Sequence, residues 1–231
     1  MSNHYHVVVN VDPRRVDAWS DDAVAERWTA VLANKSEKDR IRKAEALLAD
    51  HDRLREIRKR LGSLSWFMRF INELIARRAN REDGCKGRFW EGRFFSSALL
   101  DEAAVVSAMT YADTNPTRAG IATSPADAAH TAIQRRHLKD DKHLGRLRNL
   151  GLSRAEYIAL VRWTIERDRH NVRPTSKSKA ALRALGCTAA QWGSVVRLHR
   201  QHFRAYGSRE KLRALAKCQG KRWIKGVKRS R

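Results

Sequence analysis

The sequence predicts an α+β domain over residues 1–125, followed by a basic all-α helical domain over residues 126–231. Three observations support this prediction. Residues 4–11 contain a β-branched run that is typical of a strand. Apolar residues recur at helical spacing from residue 64 onwards. Lys and Arg outnumber Asp and Glu by 48 to 25, and most of the excess follows residue 125.

The first domain contains the predicted strand and several helices. Ser20 and Ser36 are typical N-caps, and they predict a helical insertion over residues 20–62, its second helix running without a break to Leu61. An amphipathic helix follows from Leu64 to about Asn80. The segment Gly87–Phe95 then predicts a loop that leads into another strand.

The last helix of the first domain carries a tyrosine and an asparagine one turn apart. Asp101 predicts its N-cap, and Pro116 predicts its end near Asn115, since proline cannot continue a helix. Tyr111 and Asn115 are spaced i and i+4, which places them on one helical face. A buried helix tyrosine and a helix-end asparagine are the plainer interpretation of the same two residues.

The second domain is predicted to be helical throughout. Ser153 with Glu156, and Thr188 with Gln191, predict two capping boxes. Similar lead-ins, Leu-Gly-Leu-Ser and Leu-Gly-Cys-Thr, indicate two helix–turn–helix-like units. The tail over residues 219–231 is so basic that we expect it to order only on binding.

The two halves of the chain differ in net charge. Residues 126–231 hold 27 Lys and Arg against 7 Asp and Glu, a net charge of +20, whereas residues 1–125 carry only +3. Such a surface attracts a polyanion at long range and releases counterions on binding it. Nucleic acid is therefore the expected partner. An anionic membrane and a merely solvated basic surface are the alternatives.

Composition excludes two further classes of protein. No apolar run is long enough to predict a membrane span, and the first residues do not have the pattern of a signal peptide. The three cysteines are far apart in the sequence. They predict free thiols and a cytoplasmic protein, with neither a disulfide framework nor a zinc knuckle.

A histidine pair precedes the first predicted strand. On a strand, His4 and His6 would share a face, where two imidazoles can chelate one metal ion. A paired surface histidine face is the alternative. Imidazole ligands alone suit Zn²⁺ at least as well as Mg²⁺.

Three motifs in order resemble those of a known family. They are Asn3-His4-Tyr5-His6, Gly87-Arg88-Phe89-Trp90-Glu91, and Tyr111 with Asn115-Pro116-Thr117-Arg118-Ala119-Gly120. Together they look like the HUH-type single-tyrosine transposases, most closely the bacterial REP-associated tyrosine transposases, over residues 1–122. The resemblance implies a ferredoxin-like antiparallel sheet with helices on one side. It also implies a homodimer associated with the nucleoid.

The resemblance implies a site and a reaction. His4, His6 and Asn115 would hold Mg²⁺ or Mn²⁺, and Tyr111 would be the nucleophile. Single-stranded or hairpin DNA would be cleaved through a 5′-phosphotyrosine link and rejoined without ATP. The expected DNA contacts are Arg88, Trp90, Arg93, Arg118, Arg77 and Arg78, because interleaved arginines and aromatic rings can grip phosphates and stack on bases.

Two departures from the family pattern are visible. Relatives usually carry further elements before the histidine strand, so we expect an N-terminally truncated sheet, in which Met1 is an internal methionine of the motif. Phe94-Phe95-Ser96-Ser97 stands where relatives often carry Lys and Gln. The alternatives in function are a non-catalytic nucleic-acid-binding protein and a metal-dependent, for instance zinc-dependent, hydrolytic nuclease.

Overall fold

The structure is a computed structural model that describes residues 4–31, 36–137 and 144–224. Asn3 and the end of the basic tail lie outside the described residues. The chain divides into two compact units. The smaller unit is Val9–Phe94, and the larger unit combines Met1–Val8 with Phe95–Arg231. The sequence predicts a boundary near residue 125, whereas these units divide at residues 8/9 and 94/95.

The smaller unit is a set of helices around a small apolar core. Its helices are α1 (Pro13–Asp17), α2 (Asp21–Val31), α3 (Glu37–Leu48), α4 (His51–Leu61) and α5 (Leu64–Glu82). The fully or almost fully buried residues are Val24, Ala25, Trp28, Leu47, Leu54 and Ile57. The single helix predicted from Ser36 to Leu61 is wrong, because Asp50 interrupts it. The Asp50 carboxylate accepts a hydrogen bond from the backbone N–H of Arg53 at 2.9 Å and so begins α4.

Helix α5 buries little of its apolar surface. Met68 is its buried residue, while Phe67, Leu74 and Ile75 are exposed. Phe70 packs edge-on against Trp28, with ring centroids 5.5 Å apart. The predicted amphipathic helix is confirmed, and it extends two residues beyond Asn80.

The larger unit is helical apart from two short strands. Its elements are β1 (Ala98–Leu99), α6 (Glu102–Arg118), α7 (Ala132–His137), α8 (Leu144–Asn149), α9 (Arg154–His170), α10 (Ser176–Ala184), α11 (Ala189–Leu198), β2 (Ala205–Tyr206) and α12 (Arg209–Cys218). Trp163, Trp192 and Tyr157 are its largest fully buried side chains. The Trp192 indole donates a hydrogen bond to the Thr164 hydroxyl at 3.0 Å, which satisfies the one polar group that this ring buries.

The ferredoxin-like antiparallel sheet is wrong. The described residues contain a single two-stranded sheet, in which β1 and β2 pair in parallel, Ala98 beside Ala205 and Leu99 beside Tyr206. Residues 4–12 form neither strand nor helix. Val7, Val9 and Val11 are 47%, 38% and 44% exposed. Strand propensity depends on packing against cross-strand neighbours, and this β-branched run has no neighbouring strand among the described residues.

The predicted strand after Trp90 is also displaced. The indole N–H of Trp90 donates to the backbone carbonyl of Asn72 on α5 at 2.8 Å. The Arg88 side chain donates to the carbonyl of Trp90 at 2.9 Å. The first bond holds the segment against α5, and the second joins two residues within the segment. Strand pairing begins only at Ala98.

The prediction that residues 126–231 are helical throughout is wrong, because β2 lies in this half and pairs with β1. The local capping signals of the second half are confirmed. Both capping boxes form, at Ser153 with Glu156 and at Thr188 with Gln191. The two preceding glycines, Gly151 and Gly186, have φ of 70° and 62°. This left-handed backbone ends one helix and turns the chain into the next, so the similar lead-ins do form similar helix–turn–helix units. No helix in the described ranges is both long and apolar enough to cross a membrane.

Candidate active site

Helix α6 positions the predicted nucleophile. The carboxylate of Asp101 accepts from the backbone N–H of Ala104 at 2.8 Å and caps the helix. The helix then continues through Pro116 to Arg118, so the predicted end near Asn115 is wrong. Proline here removes one backbone donor in the last turn, and the helix tolerates that loss. Tyr111 and Asn115 therefore lie one turn apart within a continuous helix.

A buried polar cluster anchors the other side of α6. The Asp113 carboxylate accepts hydrogen bonds from the Arg136 guanidinium at 2.9 Å and from the Tyr157 hydroxyl. Burial raises the pKa of Asp113 above its ordinary value, although both partners act in the opposite direction. Burial also raises the pKa of Tyr157 well above 10. The cluster ties α6 to α7 and α9.

The histidine pair and the tyrosine come together in the larger unit. The ring of His6 contacts the ring of Tyr111 edge-on, with centroids 5.2 Å apart. The rings of His4 and His6 are 5.1 Å apart and nearly perpendicular. Residues from the two ends of the first predicted domain thus form one cluster, although the strand that was expected to carry the histidines is absent.

The imidazole of His6 has properties that suit a metal ligand. Burial, followed by the neighbouring imidazoles of His4 and His202, lowers the pKa of His6. The neutral imidazole that this favours is the form that binds metal ions. Its Nε2 atom is buried without a hydrogen-bond partner among the described residues. Buried polar atoms normally have a partner, so this nitrogen is suited to an added ligand.

The residues of the cluster could supply only some of the ligands that a metal ion needs. Asn115 is half-buried and lies one turn after Tyr111 on α6. In the part of the chain that the structure describes, no three His, Cys, Asp or Glu residues are grouped to hold a metal ion. The protein ligands would therefore be two imidazoles and one amide. The remaining coordination positions would belong to water and substrate, as in an open catalytic site.

Sequence reasoning missed His199, which packs beside Tyr111. Its ring lies 5.8 Å from the ring of Tyr111 and 4.1 Å from the ring of Tyr206. Burial, together with the nearby His6, lowers the pKa of His199 to about 4, so the imidazole is uncharged at neutral pH. The spacing of His199 and His202 is a weak sequence signal, and nothing in it points to Tyr111.

A serine on α6 orients the His199 ring. The Ser107 hydroxyl donates to the carbonyl of Ala104 at 2.9 Å. It lies 2.9 Å from Nε2 of His199. The direction of this hydrogen bond follows from the tautomer of the imidazole, and in either direction it holds the ring in place. Ser107 precedes Tyr111 by one turn, so the same helix holds both partners of this ring.

Of the predicted DNA contacts, only Arg118 belongs to the unit that holds Tyr111. Its guanidinium carbon is 6.0 Å from the centre of the Tyr111 ring, and the group pairs with Asp168. The others belong to the smaller unit. Arg77 pairs with Glu73 and Arg78 with Glu82.

Arg93 and Trp90 also have intramolecular contacts. Arg93 donates to the Ser65 hydroxyl at 3.3 Å, and its guanidinium carbon lies 5.6 Å from the centre of the Phe94 ring. Trp90 is half-buried against Phe89, with ring centroids 4.8 Å apart. Both side chains are therefore partly engaged in holding the loop to α5.

Comparison with known proteins finds no relative of this chain. No protein-family model, no curated protein and no solved structure matches this chain. The functional argument therefore depends on the motifs and on the cluster around Tyr111.

Proposed function

We propose that this protein cleaves and rejoins single-stranded or hairpin DNA through a 5′-phosphotyrosine formed on Tyr111, in the manner of the single-tyrosine transposases. One observation carries the proposal: His6 and Tyr111, which are distant in sequence, are in ring contact. The chemistry does not depend on the expected sheet, because the same two residue types meet without it.

The reaction exchanges one phosphoester for another. The phenolic oxygen of Tyr111 attacks the scissile phosphorus, the bond from phosphorus to the 3′-oxygen breaks, and the 3′-oxygen leaves with a proton as a hydroxyl. A phenol has a pKa of about 10, so its proton must be drawn off during attack. Reversal with a different 3′-hydroxyl rejoins the strand, since the bond energy is kept in the phosphotyrosine.

A divalent ion, Mg²⁺ or Mn²⁺, would be held by His4, His6 and Asn115. When bound, such an ion neutralises charge that develops on the phosphate. The unpartnered Nε2 of His6 supports this assignment. Arg118, whose guanidinium carbon lies 6.0 Å from the centre of the Tyr111 ring, is assigned to the substrate phosphates.

His199 is assigned as a positioning residue for Tyr111. Its imidazole is held by Ser107 and packs between the rings of Tyr111 and Tyr206. A nucleophile held in one orientation reacts faster than a mobile one, because less freedom is lost at the moment of attack. The homodimer and the nucleoid association implied by the resemblance belong to the same proposal.

An SDS-resistant adduct tests the proposal. Labelled hairpin-bearing single-stranded DNA is incubated with the protein and either Mn²⁺ or EDTA. We expect an adduct with Mn²⁺ that is lost with EDTA, in Tyr111→Phe and in His6→Ala. Tyr206→Phe is the matched control, because the Tyr206 hydroxyl is engaged with Leu198 and Phe203 and should not be the nucleophile.

The alternatives give different results. The non-catalytic nucleic-acid-binding protein is favoured by the finding that, in the described ranges, no three His, Cys, Asp or Glu residues are grouped so that they could hold a metal ion. It would bind DNA and form no adduct under any condition. A hydrolytic nuclease would cleave without an adduct and would be insensitive to Tyr111→Phe.

A further inference from the structure

Exposed cations line one side of helix α12. Arg209, Arg213 and Lys217 are all exposed and follow one another at intervals of four residues. Four residues of α-helix rise about 6 Å, so the three charges form a regular row. None of the three has an ion-pair partner among the described residues, and Glu210 is the one acidic residue of α12.

The apolar side of the same helix is already covered. Leu212 and Ala216 are buried in one cluster with Ala205 and Ile224. Helix α12 therefore packs against its own unit through that side. Five of its seven exposed residues are charged.

The chain after α12 is folded back onto the same cluster. Gly220 adopts a left-handed conformation with φ of 63°, and the backbone N–H of Lys221 donates to the carbonyl of Ala216 at 2.8 Å. These features form a glycine turn that ends the helix. Ile224 is then buried against the α12 cluster. The backbone on both sides of Trp223 is thus held by the fold.

Trp223 nevertheless presents its ring to solvent. It is 68% exposed, more than any other large apolar side chain described. Its neighbours Lys221 and Arg222 are exposed as well. An indole that is held on a fixed backbone, next to two exposed cations in the sequence, can stack on an unpaired base.

We propose that α12 and Trp223 form a binding surface for single-stranded DNA, with phosphates on the Arg209, Arg213 and Lys217 row and an unpaired base on Trp223. This inference rests on the proposed function for the identity of the nucleic acid, and it names the surface that holds the strand. A bilayer is the less suitable partner. Interfacial helices insert an apolar face, and α12 has buried its own.

The charged row is tested by the salt dependence of binding. The experiment uses the full chain carrying Tyr111→Phe, with EDTA, and a fluorescent unstructured oligonucleotide followed by anisotropy. Replacing Arg209, Arg213 and Lys217 together by Gln should reduce the slope of log K against log salt by about 2, at about 0.7 per phosphate contact. The matched control replaces Arg14, Arg42 and Arg55 by Gln, because these are exposed but paired with Asp12, Asp39 and Asp52.

The control should leave the slope nearly unchanged, although its net charge falls by the same amount. Equal changes in both triple variants would overturn the proposal, because they would mean that overall charge governs binding. Unchanged slopes in both would overturn it as well.

Trp223 is tested by substitution on two DNA substrates. Trp223→Ala should weaken binding of the single strand about tenfold, and Trp223→Phe should retain most of the affinity. A duplex of the same length should bind Trp223→Ala nearly as well as the parent, because paired bases are not free to stack on the ring. Thermal melts of each variant establish that it is folded.

Three results would overturn the role of Trp223. One is an equal loss on single strand and duplex, and another is no loss on either. The third is cosedimentation with anionic phosphatidylserine vesicles that requires Trp223, combined with unaltered DNA binding. All binding is measured without adduct formation, so a failure of this surface and a failure of Tyr111 chemistry remain distinguishable.

Discussion

Charged side chains are arranged differently in the two compact units. In the smaller unit, seven of the eight ion pairs described join residues two to four positions apart, as in Arg42 with Asp39, and the eighth, Arg58 with Asp21, joins two helices. In the larger unit, Arg136 pairs with Asp113 across two helices, with side chains 13% and 7% exposed. Local pairs neutralise charge without holding helices together, whereas the buried pair fixes one helix against another.

The same contrast explains where cations remain available. Most of the ion pairs described in the smaller unit join an acid to an arginine three or four residues away, so part of its positive charge is neutralised locally. The larger unit has few acids, and Asp113 and Asp168 are engaged inside it. Helix α12 is left with a row of cations that has no acidic partner among the described residues.

Removing Asp113 should produce the largest change in stability. Asp113→Ala leaves the Arg136 guanidinium and the Tyr157 hydroxyl buried without their shared acceptor, and we expect a loss of about 3–5 kcal/mol. Urea unfolding followed by tryptophan fluorescence measures it. A loss below about 1 kcal/mol would mean that the buried pair does not hold α6, and the contrast between the units would fail.

His199 should affect the reaction more than the fold. His199→Ala removes both the packing against Tyr111 and the bond to Ser107, and we expect the rate of adduct formation to fall about tenfold to a hundredfold. His199→Phe keeps a ring beside Tyr111 and should recover part of the rate. Affinity for DNA is measured in parallel and should stay the same, which a merely structural role for His199 would not produce.

Capping substitutions should have intermediate effects, about 1 kcal/mol each for Ser153→Ala and Thr188→Ala. The two substitutions should differ in how their effects on the free energy of unfolding change with pH. The pKa of Glu156 is below its ordinary value because the carboxylate accepts hydrogen bonds from Ser153. A depressed folded-state pKa gives stability that is present above about pH 4.3 and is lost as pH falls through the folded value.

The Thr188 box has Gln191 in place of the acid, so its contribution should not change over this range. Urea unfolding of both variants at neutral and acidic pH measures the difference. Only the Ser153→Ala effect should shrink in acid. A parallel decrease at Thr188 would show that general acid unfolding, rather than Glu156, is responsible.

The smallest effect is expected at an exposed local pair. Glu73→Gln removes the partner of Arg77 on α5, where the two side chains are 43% and 74% exposed. We expect a change in the free energy of unfolding of about 0.5 kcal/mol or less, because solvent screens exposed pairs. The same urea experiment measures it. A loss comparable to that of Asp113→Ala would remove the distinction between the two units.

Several helix starts of this protein can be predicted from local sequence alone. Helix starts at Ser20, Asp101, Ser153 and Thr188 follow from hydrogen bonds to backbone atoms three residues away, so they can be predicted without the fold. The helical character of the second half follows from apolar spacing in the same way. Asp50 is a further cap of this type, but the apolar stripe continues past it and so predicts one unbroken helix to Leu61.

The sheet and the surroundings of Tyr111 depend on contacts between residues that are distant in the sequence. A β-branched run becomes a strand when a second strand pairs with it, and that partner is not encoded in residues 7–11 themselves. His199 reaches Tyr111 from the far end of the chain because α11 packs beside α6. Such contacts depend on how helices are packed, which no local pattern specifies. The motifs therefore predict His6 and Tyr111 as site residues, whereas the position of His199 beside Tyr111 follows only from the packing of the helices.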